Sequence, residues 1–78
     1  SGFVAYPNPT HRVIEIATPT LKTEISIELF NLNGQLISKG VYPVSNGKVQ
    51  LNLEKESAGV YFAKVLLDTP ASLTIVKQ

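Results

Sequence analysis

One histidine, six carboxylates and three tyrosines carry most of the reactive chemistry in this 78-residue chain, which has no cysteine. A catalytic triad or a zinc centre needs several such groups converging, and His11 has neither a thiol nor a second imidazole to join it. It follows Pro9-Thr10 and reads as a solvated turn residue. Among Glu15, Glu24, Glu28, Glu54, Glu56 and Asp68, a glycosidase would need two carboxylates facing each other across a cleft. Glu24 and Glu28 instead fall on the polar phase of an alternating run, which is an exposed strand face. The acidic spacing of a calcium loop is absent, and Asn33-Gly34 and Asn46-Gly47 carry single turn glycines rather than a phosphate-binding loop. Tyr6, Tyr42 and Tyr61 are too dispersed for a base- or sugar-stacking platform. The residues therefore assign no catalytic site, no metal site and no cofactor.

The balance of charge narrows the partners. Seven basic and six acidic residues give a net charge of +1 and are spread along the chain, without the concentrated basic face that nucleic acid requires. A membrane-crossing helix needs about 20 mostly apolar residues, and the longest unbroken aliphatic run is Val65-Leu66-Leu67. The hydrophobic fraction of 44% is that of a folded domain rather than a disordered one. Without disulfides, a domain of this length must be held by packing alone.

Period-2 alternation dominates the chain. Ile25, Ile27 and Leu29 alternate with Glu24, Ser26 and Glu28, and Asn33-Gly34 then turns the chain back through Leu36 and Ile37. Both turn residues tolerate positive φ, so a type I′ hairpin is expected there. Upstream, Phe3 to Tyr6 forms an edge strand that stops at the rigid turn Pro7-Asn8-Pro9. Arg12 to Ala17 follows, with Ile14 and Ile16 facing the core, and Thr18-Pro19-Thr20 ends it. Gly40 and Pro43 are expected to break the fourth strand around Val41 and Tyr42. Asn46-Gly47 makes a second turn into Lys48 to Leu53. Glu54 to Ala58 is too short for a stable helix. Gly59 to Leu67 is apolar on both faces, the mark of a central strand. Asp68-Thr69-Pro70 turns into a last strand, Leu73 to Gln78. Seven short strands separated by turns predict an all-β sandwich of two antiparallel sheets.

Three ordered stretches add a resemblance. Tyr6-Pro7-Asn8-Pro9-Thr10 comes first, then Leu29-Phe30-Asn31-Leu32-Asn33-Gly34-Gln35-Leu36-Ile37. Ser57-Ala58-Gly59-Val60-Tyr61-Phe62-Ala63-Lys64-Val65 precedes a final Ile75-Val76-Lys77-Gln78. Together they resemble the type A C-terminal sorting domain of the type IX secretion system, carried by exported proteins of Bacteroidetes. Two positions depart from that pattern: His11-Arg12 stands where members often have Ser-Gly, and Thr74 where many have Lys.

At 78 residues the chain reads as one domain, 1–78, with Ser1-Gly2 reading as an internal cut or a cloning scar. The resemblance, which runs from Tyr6 to Gln78, implies a non-catalytic signal. It implies a seven-stranded antiparallel immunoglobulin-like sandwich. It also implies a cargo domain joined on the N-terminal side, such as a secreted protease, and passage from the periplasm through an outer-membrane translocon. A sortase then removes the domain, with anchoring of cargo at the cell surface or release. Neither nucleic acid nor a cofactor enters this picture. A terminal strand is tethered at one end only, and its unpaired edge could add to a receptor sheet. On that basis Ile75, Val76 and Lys77 are expected to form the recognised end, with Gly59 and Tyr61 holding the neighbouring strand. The same edge could pair with, or swap into, a second copy. The rival reading is a fibronectin-like adhesion or carbohydrate-binding module, which shares the architecture.

Overall fold

Alternation and turn chemistry produce seven strands in two sheets in the computed structural model, which describes residues 4–18 and 20–78. The strands are β1 (Val4–Tyr6), β2 (Val13–Ala17), β3 (Glu24–Asn31), β4 (Leu36–Pro43), β5 (Lys48–Asn52), β6 (Gly59–Leu66) and β7 (Ala71–Lys77). One sheet has the order β1-β2-β5, the other β4-β3-β6-β7, and every strand pair is antiparallel. The described residues contain no helix. Ser1, Gly2, Phe3 and Pro19 lie outside the described residues, and with them the expected cut site, the first residue of the edge strand and the middle of the turn after β2.

The inner faces of the two sheets meet in one core. Ile14, Ile16, Val49 and Leu51 come from the three-stranded sheet; Ile25, Ile27, Leu29, Ala63, Val65 and Ile75 come from the other. Each such Ile, Leu or Val side chain removed from water favours folding by about 1.5–3 kcal/mol. The strand apolar on both faces, β6, does lie inside its sheet, between β3 and β7.

The two Asn-Gly turns differ, and the type I′ geometry sits at the second rather than the first. Asn46 and Gly47 have φ of 54° and 73°, and Ser45 and Lys48 exchange backbone hydrogen bonds of 2.9 and 3.0 Å across them. This turn carries the chain from β4 in one sheet to β5 in the other. At the first turn only Gly34 has positive φ, +84°. There Asn31 Oδ1 accepts hydrogen bonds from the backbone N–H groups of Asn33 and Gln35, both at 3.0 Å, and Gly34 N–H donates to the Asn31 carbonyl. The result is a three-residue loop closed by a glycine in the left-handed region. Past it, Phe30 faces Leu36 and Leu29 faces Ser38, which leaves Ile37 as a bulged residue.

The fourth strand is not broken at Gly40. β4 runs unbroken from Leu36 to Pro43, with Gly40 opposite Ile27 and Pro43 opposite Glu24. An edge strand has hydrogen-bonding partners on one side only, so it accommodates a proline at its end. The Tyr42 ring lies over Gly40, 3.6 Å from where a Cβ would stand, and covers the backbone that glycine leaves bare.

Candidate functional site

The segment 8–10 meets the last strand, β7, at its outer edge. Pro7 and Pro9 have no backbone N–H, so the hydrogen-bonding capacity between them rests on the Asn8 side chain. Asn8 Nδ2 donates to the Thr74 carbonyl at 2.9 Å, and Asn8 Oδ1 accepts from Val76 N–H at 2.9 Å. Asn8 thereby takes the place of a neighbouring strand, satisfying one acceptor and one donor along β7. Thr10 continues the contact with its backbone: its N–H donates to the Val76 carbonyl at 2.8 Å, and Gln78 N–H donates to the Thr10 carbonyl at 2.7 Å. Its side chain is 1% exposed, and the hydroxyl donates to the Val13 carbonyl at 2.9 Å, which ties the clasp to the start of β2. The edge of β7 expected to be unpaired is therefore closed from Thr74 to Gln78. The free-edge route to receptor addition or to pairing with a second copy does not exist there in the folded domain.

On its other side β7 pairs with β6, and this ladder gathers all five expected recognition residues. Gly59 faces Lys77, Val60 faces Val76 and Tyr61 faces Ile75. Ile75 is fully buried, so its side chain acts through the core rather than on a partner. Val76 points to the outer face and is half-buried, as is Lys77 at the end of the strand. Gly59 has φ +156°, at the rim of the range that favours glycine, and begins β6. Tyr61 is 6% exposed and its hydroxyl donates to the Ser57 carbonyl at 2.6 Å. That bond ties the connection leaving the three-stranded sheet to the strand it enters.

The other expected turn residues stand apart from this ladder. Asn33-Gly34 and Asn46-Gly47 shape the β3–β4 and β4–β5 connections. Pro7, Asn8 and Pro9 do more than turn the chain, and Thr10 is a residue that sequence reasoning did not single out. The available signal was local: an asparagine deprived of backbone donors on both sides must spend its amide elsewhere.

A second polar region lies on the outer face of the three-stranded sheet. Glu15, Lys48 and Gln50 line a cleft of about 440 Å³ together with Pro43, Ser45 and Asn46. Gln50 Nε2 donates to Glu15 Oε2 at 3.3 Å, and the Lys48 ammonium sits 5.7 Å from the Tyr6 ring centroid. Hydrogen bonding to the Tyr6 side chain, then the charges of Tyr6 and Glu15, hold Lys48 above its ordinary pKa. Glu15 is the one carboxylate in the cleft, and His11 is exposed elsewhere. Among the described residues no group of three or more His, Cys, Asp or Glu side chains is arranged to hold a metal ion.

Comparison with known proteins covers the β6–β7 ladder, its clasp and this cleft alike. A family model described as the secretion system C-terminal sorting domain matches residues 4–77, from the first residue of β1 to the last of β7. No curated protein matches the chain.

Proposed function

The chain belongs to the secretion system C-terminal sorting domain family, and from that premise we propose how this copy presents its signal. Membership makes it a non-catalytic sorting signal of type IX secretion, which engages the secretion machinery on behalf of an attached cargo domain. Cargo sorted in this way ends outside the cell or on its surface. Our reading of this copy adds that residues 1–78 act as one module, that the cargo is an enzyme such as a protease, and that it crosses the periplasm to an outer-membrane translocon. A sortase then removes the module and can leave the cargo anchored.

The same reading gives the fold an immunoglobulin-like topology. In its support stand the strand orders β1-β2-β5 and β4-β3-β6-β7 and the Tyr61 hydroxyl bonded back to Ser57, which has the form of a tyrosine corner.

In this reading the machinery recognises the β7 end, with Val76 and Lys77 in contact, Ile75 seating the strand in the core, and Gly59 and Tyr61 fixing β6 beside it. The observation that carries it is the clasp: the first and last family-like stretches bond to each other at β7. Addition of β7 to a receptor sheet would follow release of Asn8 and Thr10. A swap of β7 between copies would need the same release, and only monomer in light scattering at high concentration would count against it.

Deleting 72–78 should strand fused cargo in the periplasm, whereas normal export would refute the reading. Because that deletion also removes Ile75 from the core, Val76→Thr with Lys77→Gln is the companion variant. It leaves the core intact and should still depress export.

A further inference from the structure

The outer face of the four-stranded sheet is unusually apolar for a surface that meets water. Register places Leu36, Phe30 and Phe62 in one row across β4, β3 and β6. Val60 and Val76 continue that apolar band on β6 and β7. A second row runs Val41, Ser26, Leu66. Phe30, Val60, Phe62, Leu66 and Val76 are half-buried, while Leu36 and Val41 are 48% and 61% exposed. Single exposed hydrophobic residues need no explanation, but a contiguous set on one sheet face marks an interaction surface.

Between the two apolar rows runs a charged one, in which Glu28 stands directly opposite Lys39 on one side and Lys64 on the other. Both lysines are exposed and Glu28 is half-buried. Among the described residues the one ion pair within 4.0 Å is Arg12–Glu54, so neither lysine is engaged by Glu28 at that range. One carboxylate between two ammonium groups leaves positive charge inside an apolar frame.

The face also has a notch. Ser26 is small and stands between Val41 and Leu66, and a pocket of about 370 Å³ opens there, reaching Glu28 and Lys39. It is large enough to admit a bulky aliphatic or aromatic side chain.

We infer that this face docks a protein surface of the secretion machinery that presents an apolar anchor side chain for the Ser26 notch and a neighbouring carboxylate for Lys39 and Lys64. The inference rests on the sorting function and names the surface that function uses. Charge complementarity selects the partner. Two lysines beside a notch that admits a side chain fit a discrete protein contact, whereas an anionic bilayer is recognised by larger basic clusters. Buried apolar anchors at the centre of an interface, with charges around them, carry most of the binding energy of such contacts. Because Val76 belongs to the same face, docking would reach the β7 end without opening the clasp.

The test is export of a reporter fused ahead of the full 78-residue chain in a bacterium with a type IX system. Ser26→Val fills the notch while adding β propensity, Phe62→Ser removes an anchor, and Lys39→Glu with Lys64→Glu inverts the charge. Each should lower export by about tenfold or more, the loss typical of a hot-spot residue, with thermal melting showing a folded domain. Gln50→Glu on the opposite outer face should export as the parent does. A photo-crosslinking residue at Val41 should give an adduct with a secretion component that disappears in the Ser26→Val background. Parent-like export of all three face variants would overturn the inference while leaving the sorting function intact; failure of the parent chain to export the reporter would remove the sorting reading itself. An adduct only between copies, or flotation of the chain with phosphatidylglycerol vesicles abolished by the double charge change, would assign the face to another occupant and overturn it too.

Discussion

The four-stranded sheet has two edges and finishes them in opposite ways. At β7 the backbone is satisfied by a distant segment, through the Asn8 side chain and the Thr10 main chain. At β4 no comparable strap lies outside the strand among the described residues; the edge is guarded instead by Lys39, the bulge at Ile37 and Pro43. Those are the ordinary devices by which an edge discourages unwanted pairing. The difference teaches that the chain spends long-range contacts on its last strand and only local chemistry on its fourth. Such an arrangement is what the recognition proposed for the β7 end would require.

The largest expected effect comes from comparing one residue on each edge strand. Ile75 is fully buried on β7, whereas Val41 is 61% exposed on β4. Ile75→Ala should cost roughly 2–5 kcal/mol, through lost burial and the cavity left behind. Against a total stability of about 4–12 kcal/mol for a chain of this length, that is a large fraction. Val41→Ala should stay within about 0.5 kcal/mol. Urea titrations of both variants decide the matter. Equal losses would mean that the two edges contribute alike and the contrast is only geometric.

A smaller effect isolates the clasp itself. Asn8→Ala removes two hydrogen bonds to β7 without touching the core. At about 0.5–1.5 kcal/mol each, and with water able to reach the exposed site, the expected loss is about 1–2 kcal/mol. Amide exchange gives the sharper readout. Val76 N–H, bonded to Asn8 Oδ1, should exchange faster in the variant, while Lys64 and Val65, which pair with the other half of β7, should change little. Uniform acceleration across the sheet would show that the clasp supports global stability and does not act on the last strand in particular.

The same contrast separates what the sequence disclosed from what it did not. The alternation at Ile25, Ile27 and Leu29, and at Ile14 and Ile16, was legible because side-chain facing is a local, period-2 property. The double-sided apolar pattern of Gly59 to Leu67 likewise placed β6 inside the sheet. Turn type was less legible. Asn33-Gly34 and Asn46-Gly47 have the same two residues, but Asn31 lies just upstream of the first and bonds two of its amides. That competing side chain turns an expected type I′ turn into a three-residue loop with a bulge. Gly40 misled because propensity speaks for the strand alone, while pairing with Ile27 and cover from Tyr42 come from outside it. The clasp was invisible for a different reason: Asn8 and its partners are 66 and 68 residues apart. All five expected recognition residues fell on one ladder, yet burial gave Ile75 a role that composition could not distinguish from that of Val76.

The smallest expected effect tests whether β4 is the looser edge because of its own sequence. Gly40 has no positive φ, and an added Cβ would meet the Tyr42 ring at 3.6 Å, an ordinary contact. Nothing in the folded state therefore opposes Gly40→Ala, while the unfolded chain loses conformational freedom. The substitution should stabilise the domain by about 0.4–1 kcal/mol, most of it from the unfolded state. Its sign is the useful part. A gain in the urea midpoint, with slower amide exchange confined to β4, would mean that the weakness of this edge is written into one glycine and can be removed without touching β7. A loss would mean that the Tyr42 ring cannot keep its place over an alanine methyl group. The open edge would then depend on that ring's packing, and the two edges would differ less in kind than their hydrogen bonds suggest.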